Sequence, residues 1–152
     1  MIFRAFGRPD AVAVGQALAG LCRRRGLTLL VGADEGLAAR VGADGVHLPE
    51  RDLSVARRLR MRRPRWIVTG AAHSRAALAR ADRSGVDAVL LSPLFESRSP
   101  SAGRPLGLLR FQAMTRGART PVYALGGVNA STARRLQLSR AQGIAAVEAL
   151  AD

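Results

Sequence analysis

The chain has no lysine: its 24 basic residues are all arginine, set against 11 acidic ones for a formal charge of +13. Without a lysine amine, Schiff-base aldolase, pyridoxal phosphate and P-loop nucleotidase chemistry are excluded, because each needs that amine in its site. Cysteine is nearly absent too. Cys22 stands alone, so neither an internal disulfide nor a cysteine-paired zinc site can form, and its place on an apolar helix face reads as core. Aromatics make up only 4% of the residues, too few for a surface on which bases stack. No apolar run approaches the roughly 20 residues of a membrane span. No basic start with an apolar stretch and a cleavage site is present either, so the chain reads as cytoplasmic.

The charge of +13 invites a nucleic-acid reading. The exclusive use of arginine looks instead like the compositional bias of a GC-rich coding sequence. The arginines are spread over most of the expected helices, with short clusters at Arg23 to Arg25 and from Arg57 to Arg65. We read them as a solvated helical surface, and nucleic acid as a disfavoured partner.

What is present is alternation. Ile2 to Phe6 is a short strand candidate; Asp10 then caps a helix to about Arg25, with Val14, Leu18, Leu21 and Cys22 on its buried face. Gly26 stops that helix, and arginines in its last turn suit the negative end of its dipole. Strands are expected at 27–31, 45–48, 66–69, 86–92, 122–125 and 144–147. Helices are expected at 34–41, 54–62, 74–83, 106–115 and 130–140, with Pro64 ending the third helix and Ser74 capping the fourth. Seven strands alternating with six helices, undivided by any linker, spell parallel βα units in one domain over residues 1–152. That is a TIM-type (β/α) barrel one strand short of closure. An open barrel exposes strand edges, so the expectation is poor solubility alone or edge pairing in a homodimer.

The segment from Asp87 to Gly127 carries the chemistry. An apolar strand breaks into the small-polar loop Ser92 to Ser101, and a helix follows. A second strand then ends on Gly126-Gly127. In such barrels, reacting groups and phosphate sit in loops at the carboxyl ends of the strands. The two glycines read either as a nest of backbone N–H groups for a phosphate or as a tight strand-to-helix turn. The loop reads as a mobile cover whose Ser97 and Ser99 donate to phosphate, or as a solvated loop without a ligand. His73 reads as a proton shuttle or as a histidine at a helix start bonding a backbone group. His47, within a strand, reads as structural.

Three stretches together resemble the thiamine phosphate synthase and TenI superfamily. They are Gly42-Ala-Asp-Gly-Val-His-Leu48 with Asp52-Leu53; Ala72-His73-Ser74 with Gly85-Val86-Asp87; and Ser92-Pro-Leu-Phe95, Pro105-Leu-Gly107, Ala124-Leu-Gly-Gly127 and Gly143-Ile-Ala145. The chain resembles a member lacking its first strand–helix unit, and its loop is most similar to thiazole-handling domains sometimes fused to Nudix hydrolases.

The resemblance implies a role in thiamine biosynthesis on a phosphorylated thiazole. Two activities fit: coupling to a pyrimidine diphosphate, with Mg²⁺, or TenI-like tautomerisation through His73, with no metal. It implies Arg4 as an anion contact and Asp52 as a magnesium ligand, failing which Asp52 caps the following helix. Departures follow the same alignment. Phe6 replaces a lysine, Gly32 and Ala33 replace an Asn-Asp metal pair with Asp34 nearby, and Ala71 replaces a serine. Ser97-Arg98-Ser99-Pro100 stands for Thr-x-Thr-Lys, and Glu148 stands for a serine near the phosphate. A non-catalytic binder of thiazole or thiamine phosphate is the alternative.

Overall fold

The computed structural model describes residues 1–97, 103–136 and 139–147. Seven strands form one sheet in chain order, every neighbouring pair parallel. They are β1 Ile2–Phe3, β2 Leu30–Gly32, β3 Gly45–Leu48, β4 Ile67–Ala72, β5 Ala88–Leu91, β6 Val122–Ala124 and β7 Gly143–Ile144. Helices α1 Ala11–Arg24, α2 Glu35–Val41, α3 Ala56–Arg62, α4 Arg75–Ser84, α5 Gly107–Thr115 and α6 Ala130–Ala133 connect them. A 3-10 turn, Glu50–Val55, precedes α3, and another, Arg134–Leu136, follows α6. The sheet is a curled half-barrel of the expected class, with β1 and β7 at its two ends.

The period of two along each strand sorts the side chains. Val31, Val46, Val68, Val89, Leu91 and Ala124 turn outward to the helices and are at most 1% exposed. With Leu37, Leu53, Leu59 and Phe111 they make the main core. A fully buried side chain such as Phe111 contributes roughly 2–3 kcal/mol by leaving water.

At the amino end of the sheet a repeated device sets the register. Gly42 and Gly85 end α2 and α4 in the left-handed region, at φ +67° and +76°. Two residues on, the Asp44 carboxylate accepts the Leu29 N–H at 2.7 Å, and Asp87 accepts the Val68 N–H at 2.8 Å. Each Gly-x-Asp therefore staples an incoming strand to its neighbour by a charge-assisted bond. Arg60 pairs with the other oxygen of Asp87.

Several element boundaries and contacts differ from the sequence expectation. Asp10 does not cap α1, because its carboxylate is taken by Arg8 at 2.9 and 2.7 Å. The buried face of α1 is Gly15, Ala19 and Cys22, with Leu21 exposed, since Gly15 lies directly against Val41 of α2. Leu27 is 55% exposed because β2 begins only at Leu30. β1 stops at Phe3, and the chain turns over Ala5 to Arg8, where Phe6 takes φ +49°. β4 runs on to Ala72, three residues past its expected end, and β7 covers only Gly143–Ile144. Among the described residues no helix is long and apolar enough to cross a membrane.

Candidate active site

The carboxyl ends of β3, β4 and β5 meet at His73. β4 ends at Ala72, and Ser74 takes extended geometry and caps α4 by accepting the Ala77 N–H at 3.1 Å. His73 is thereby left at the exposed rim, held from two sides. Its backbone N–H donates to Glu50 Oε2 at 2.9 Å, from the turn after β3. Its ring Nδ1 lies 2.8 Å from the Ser92 carbonyl and 3.2 Å from Ser92 Oγ, just after β5. A carbonyl oxygen only accepts, so Nδ1 carries a hydrogen, and the neutral ring is the tautomer whose lone pair is on Nε2. The reading of His73 as a histidine at a helix start bonding a backbone group holds in this geometry. Glu50 is the member of this corner that sequence reasoning missed; its place after β3 in the Pro49-Glu50 turn was the available signal.

The Ser92 to Phe95 segment lies across the end of β6. The Leu94 N–H donates to the Leu125 carbonyl at 2.8 Å and Phe95 N–H to the Gly126 carbonyl at 3.0 Å. Leu106 and Gly107 return to the Pro93 and Leu94 carbonyls at 3.0 and 2.9 Å, so the base of the loop is pinned. Gly126 and Gly127 sit at φ +96° and +63°. A Cβ on Gly126 would fall 2.8 Å from Pro93 Cα, and one on Gly127 would overlap the Glu96 carbonyl. Both the left-handed backbone and the close packing require glycine there. Ser97 is half-buried in this loop; Arg98, Ser99, Pro100 and Ser101 lie outside the described residues, as does Glu148.

The ends of β1, β2 and β3 form a second corner. Arg4 stacks its guanidinium on the Phe6 ring, 4.6 Å from the centroid, while its stem lies over Gly32: a Cβ on Gly32 would approach Arg4 Cγ to 2.9 Å. His47 points to the same interior, 3.0 Å from Thr69 Oγ1. Burial, reinforced by the nearby positive Arg4, lowers its pKa to about 4, so it is neutral near pH 7.

Asp52 is half-buried within the 3-10 turn and does not cap the helix after it; Pro49 occupies the N-cap of that turn. It shares a cleft of about 200 Å³ with Asp34 and Glu35. The three carboxylates do not converge. Asp34 accepts the Leu37 N–H at 2.8 Å, Glu35 Oε2 faces Arg62 at 3.4 Å and Asp52 faces Arg51 at 3.7 Å. Among the described residues no group of three His, Cys, Asp or Glu side chains is placed to hold a metal. Glu35 Oε1 is buried without a hydrogen-bond partner, yet one orphan oxygen does not supply the octahedral oxygen set of Mg²⁺. The donor set does not fit a magnesium site built by this chain alone.

Comparison with known proteins agrees with this frame. Residues 3–150 match the thiamine monophosphate synthase family. A thiamine-phosphate synthase of Chloroflexus aurantiacus is 33% identical over 134 residues, covering 88% of this chain and 62% of that protein. A bifunctional thiamine biosynthesis protein of Symbiobacterium thermophilum is 37% identical over 131 residues, covering 85% of this chain and 27% of that protein. The chain thus spans less than two thirds of the length of these relatives. In three dimensions it is similar to a thiamine phosphate pyrophosphorylase from Pyrococcus furiosus, with a TM-score of 0.82, 25% identity, and coverage of 96% of this chain and 70% of that one. FabK from Thermotoga maritima shares the fold at a TM-score of 0.73 and 15% identity. From strand order, strand-end glycines and these relatives together, the chain belongs to the thiamine monophosphate synthase family.

Proposed function

We propose that this chain acts in thiamine biosynthesis on a phosphorylated thiazole, by proton transfer at His73. The observation that supports this reading is the hydrogen bond from Nδ1 to the Ser92 carbonyl, which leaves Nε2 as a base at the rim. In a thiazole carboxylate phosphate, Nε2 takes a proton from one ring position and returns it to another. Atoms balance without a co-reactant, and no metal enters. The phosphate is met by the N–H groups of Gly126 and Gly127 and the hydroxyls of Ser97 and Ser99.

The test is His73→Ala, assayed for thiazole tautomerisation and for ligand-induced thermal shift. Turnover is expected to fall by about 10²–10⁴-fold with thiazole phosphate affinity kept. Unchanged turnover sinks the proposal, and binding without turnover in the parent chain favours the non-catalytic binder instead.

A second reading is the coupling activity that the relatives' names carry. Retention of Arg4 at the end of β1, where the pyrimidine diphosphate would sit, favours it. It requires Asp52 to take part in a magnesium site completed by substrate oxygens. Magnesium-dependent stabilisation by the pyrimidine diphosphate would support it over the tautomerase reading.

A further inference from the structure

On the outer, helical side of the sheet an open cleft of about 340 Å³ runs between the 3-10 turn and α4. Glu50, Arg51, Ser54, Arg57, Arg80 and Arg83 line it, over a floor of Leu53 and Ser84. Four arginines and one carboxylate thus line it, and that carboxylate is already spent. Glu50 Oε1 accepts from Arg80 at 2.5 Å, and its Oε2 holds the His73 N–H. Arg51 has only a loose pair with Asp52 at 3.7 Å. Among the described residues neither Arg57 nor Arg83 has an ion-pair partner.

We propose that this cleft binds a small phosphate-bearing anion of diphosphate size, and that the site reports to His73 through Glu50. Arginine forks bind phosphate oxygens in a bidentate way, and the Ser54 hydroxyl adds a donor. The cleft suits a compact anion better than a nucleic-acid strand, which needs a groove several nucleotides long with stacking aromatics. No aromatic side chain lines it. The link inward is short. An anion that takes up Arg80 competes with Glu50 Oε1, and the same carboxylate positions the His73 backbone.

The experiment is a titration of the full chain with inorganic pyrophosphate at fixed ionic strength, followed by backbone amide NMR. Saturable shifts at Ser54, Arg57, Arg80 and Arg83, with the His73 amide moving at the same midpoint, are the expected result. Arg57→Ala/Arg83→Ala, two exposed side chains, should weaken binding at least ten-fold with unchanged far-UV circular dichroism. Arg83→Gln alone should weaken it less, and serves if the double variant fails to fold. Shifts that rise without saturating, or that are confined to Arg4, Gly126 and Gly127, overturn the site. So does affinity that is unchanged in the variants, or a single-stranded oligonucleotide binding there when pyrophosphate does not. Saturation at the cleft with His73 unmoved supports the site and overturns the link.

Discussion

The two ends of the sheet have been treated differently. At the amino end, Asp44 and Asp87 each follow a left-handed glycine and each close on a neighbouring strand's N–H, so the fold-making machinery is intact and repeated. At the carboxyl end, one corner keeps a pinned histidine, while the other carries Phe6, Gly32 and Ala33, where the family resemblance implies lysine, asparagine and aspartate. Two of the stretches that make this chain recognisable, Gly42 to Leu48 and Gly85 to Asp87, hold strands in register. In barrels of this kind the amino end serves stability and the carboxyl end chemistry. Resemblance carried by those two stretches therefore says little about the reaction.

The largest stability effect should come from the amino end. Asp87→Ala removes the acceptor of the Val68 N–H and the partner of Arg60. It leaves a strand N–H at the edge of the core unpaired. Loss of such a charge-assisted bond costs about 2–3 kcal/mol, read from urea unfolding. Activity per folded molecule should be unchanged. A variant as stable as the parent, or one that is folded but inactive, would break the division of labour between the two ends.

How much of this was legible beforehand follows the same line. Strand order, the Ser74 cap and β3 from Gly45 to Leu48 were readable, because apolar runs and capping residues act locally. The buried face of α1 was readable at Cys22 and in part at Leu18, but its centre was not. Val14, Leu18 and Leu21 have the right spacing, but the helix turns to set Gly15 against Val41, a partner 26 positions away that periodicity does not reveal. Asp10 looked like a cap until Arg8, two residues before it, took the carboxylate. At the candidate site, the position of His73 at a helix start was readable from Ser74, but its tautomer depends on the Ser92 carbonyl, and a backbone group has no sequence signature. The same holds for Glu50, whose role comes from reaching across to another loop.

The carboxyl end should show itself through pH. His47 is half-buried and neutral near pH 7, its pKa lowered to about 4 from the ordinary 6.5 by desolvation and the nearby Arg4. Between those values the unfolded chain binds a proton that the folded chain refuses, so this contribution to stability is complete above about pH 6.5 and is lost as pH falls toward 4. A shift of this size corresponds to on the order of 2–3 kcal/mol at the low end of that window. Urea midpoints at pH 7.5 and pH 4.5 measure it, and His47→Asn, which keeps a polar group near Thr69 Oγ1, should flatten the difference. An equal drop in parent and variant would assign the pH dependence to other groups.

The smallest effect tests whether the eroded corner is merely tolerated. Ala33 holds φ +61°, a left-handed conformation that alanine adopts at a cost and that glycine, or asparagine and aspartate with their short polar side chains, takes more easily. Its N–H donates to the His47 carbonyl at 2.9 Å, which ties this backbone to β3. Ala33→Gly should therefore stabilise the chain by about 0.5–1 kcal/mol despite the added flexibility of the unfolded state. Ala38→Gly, in the middle of α2 and fully buried, should destabilise it by at least about 1 kcal/mol. If both variants lose stability, Ala33 is not strained. If only Ala33→Gly gains, the position keeps the backbone shape of a residue with another side chain, and the corner has lost its ligands without losing its frame.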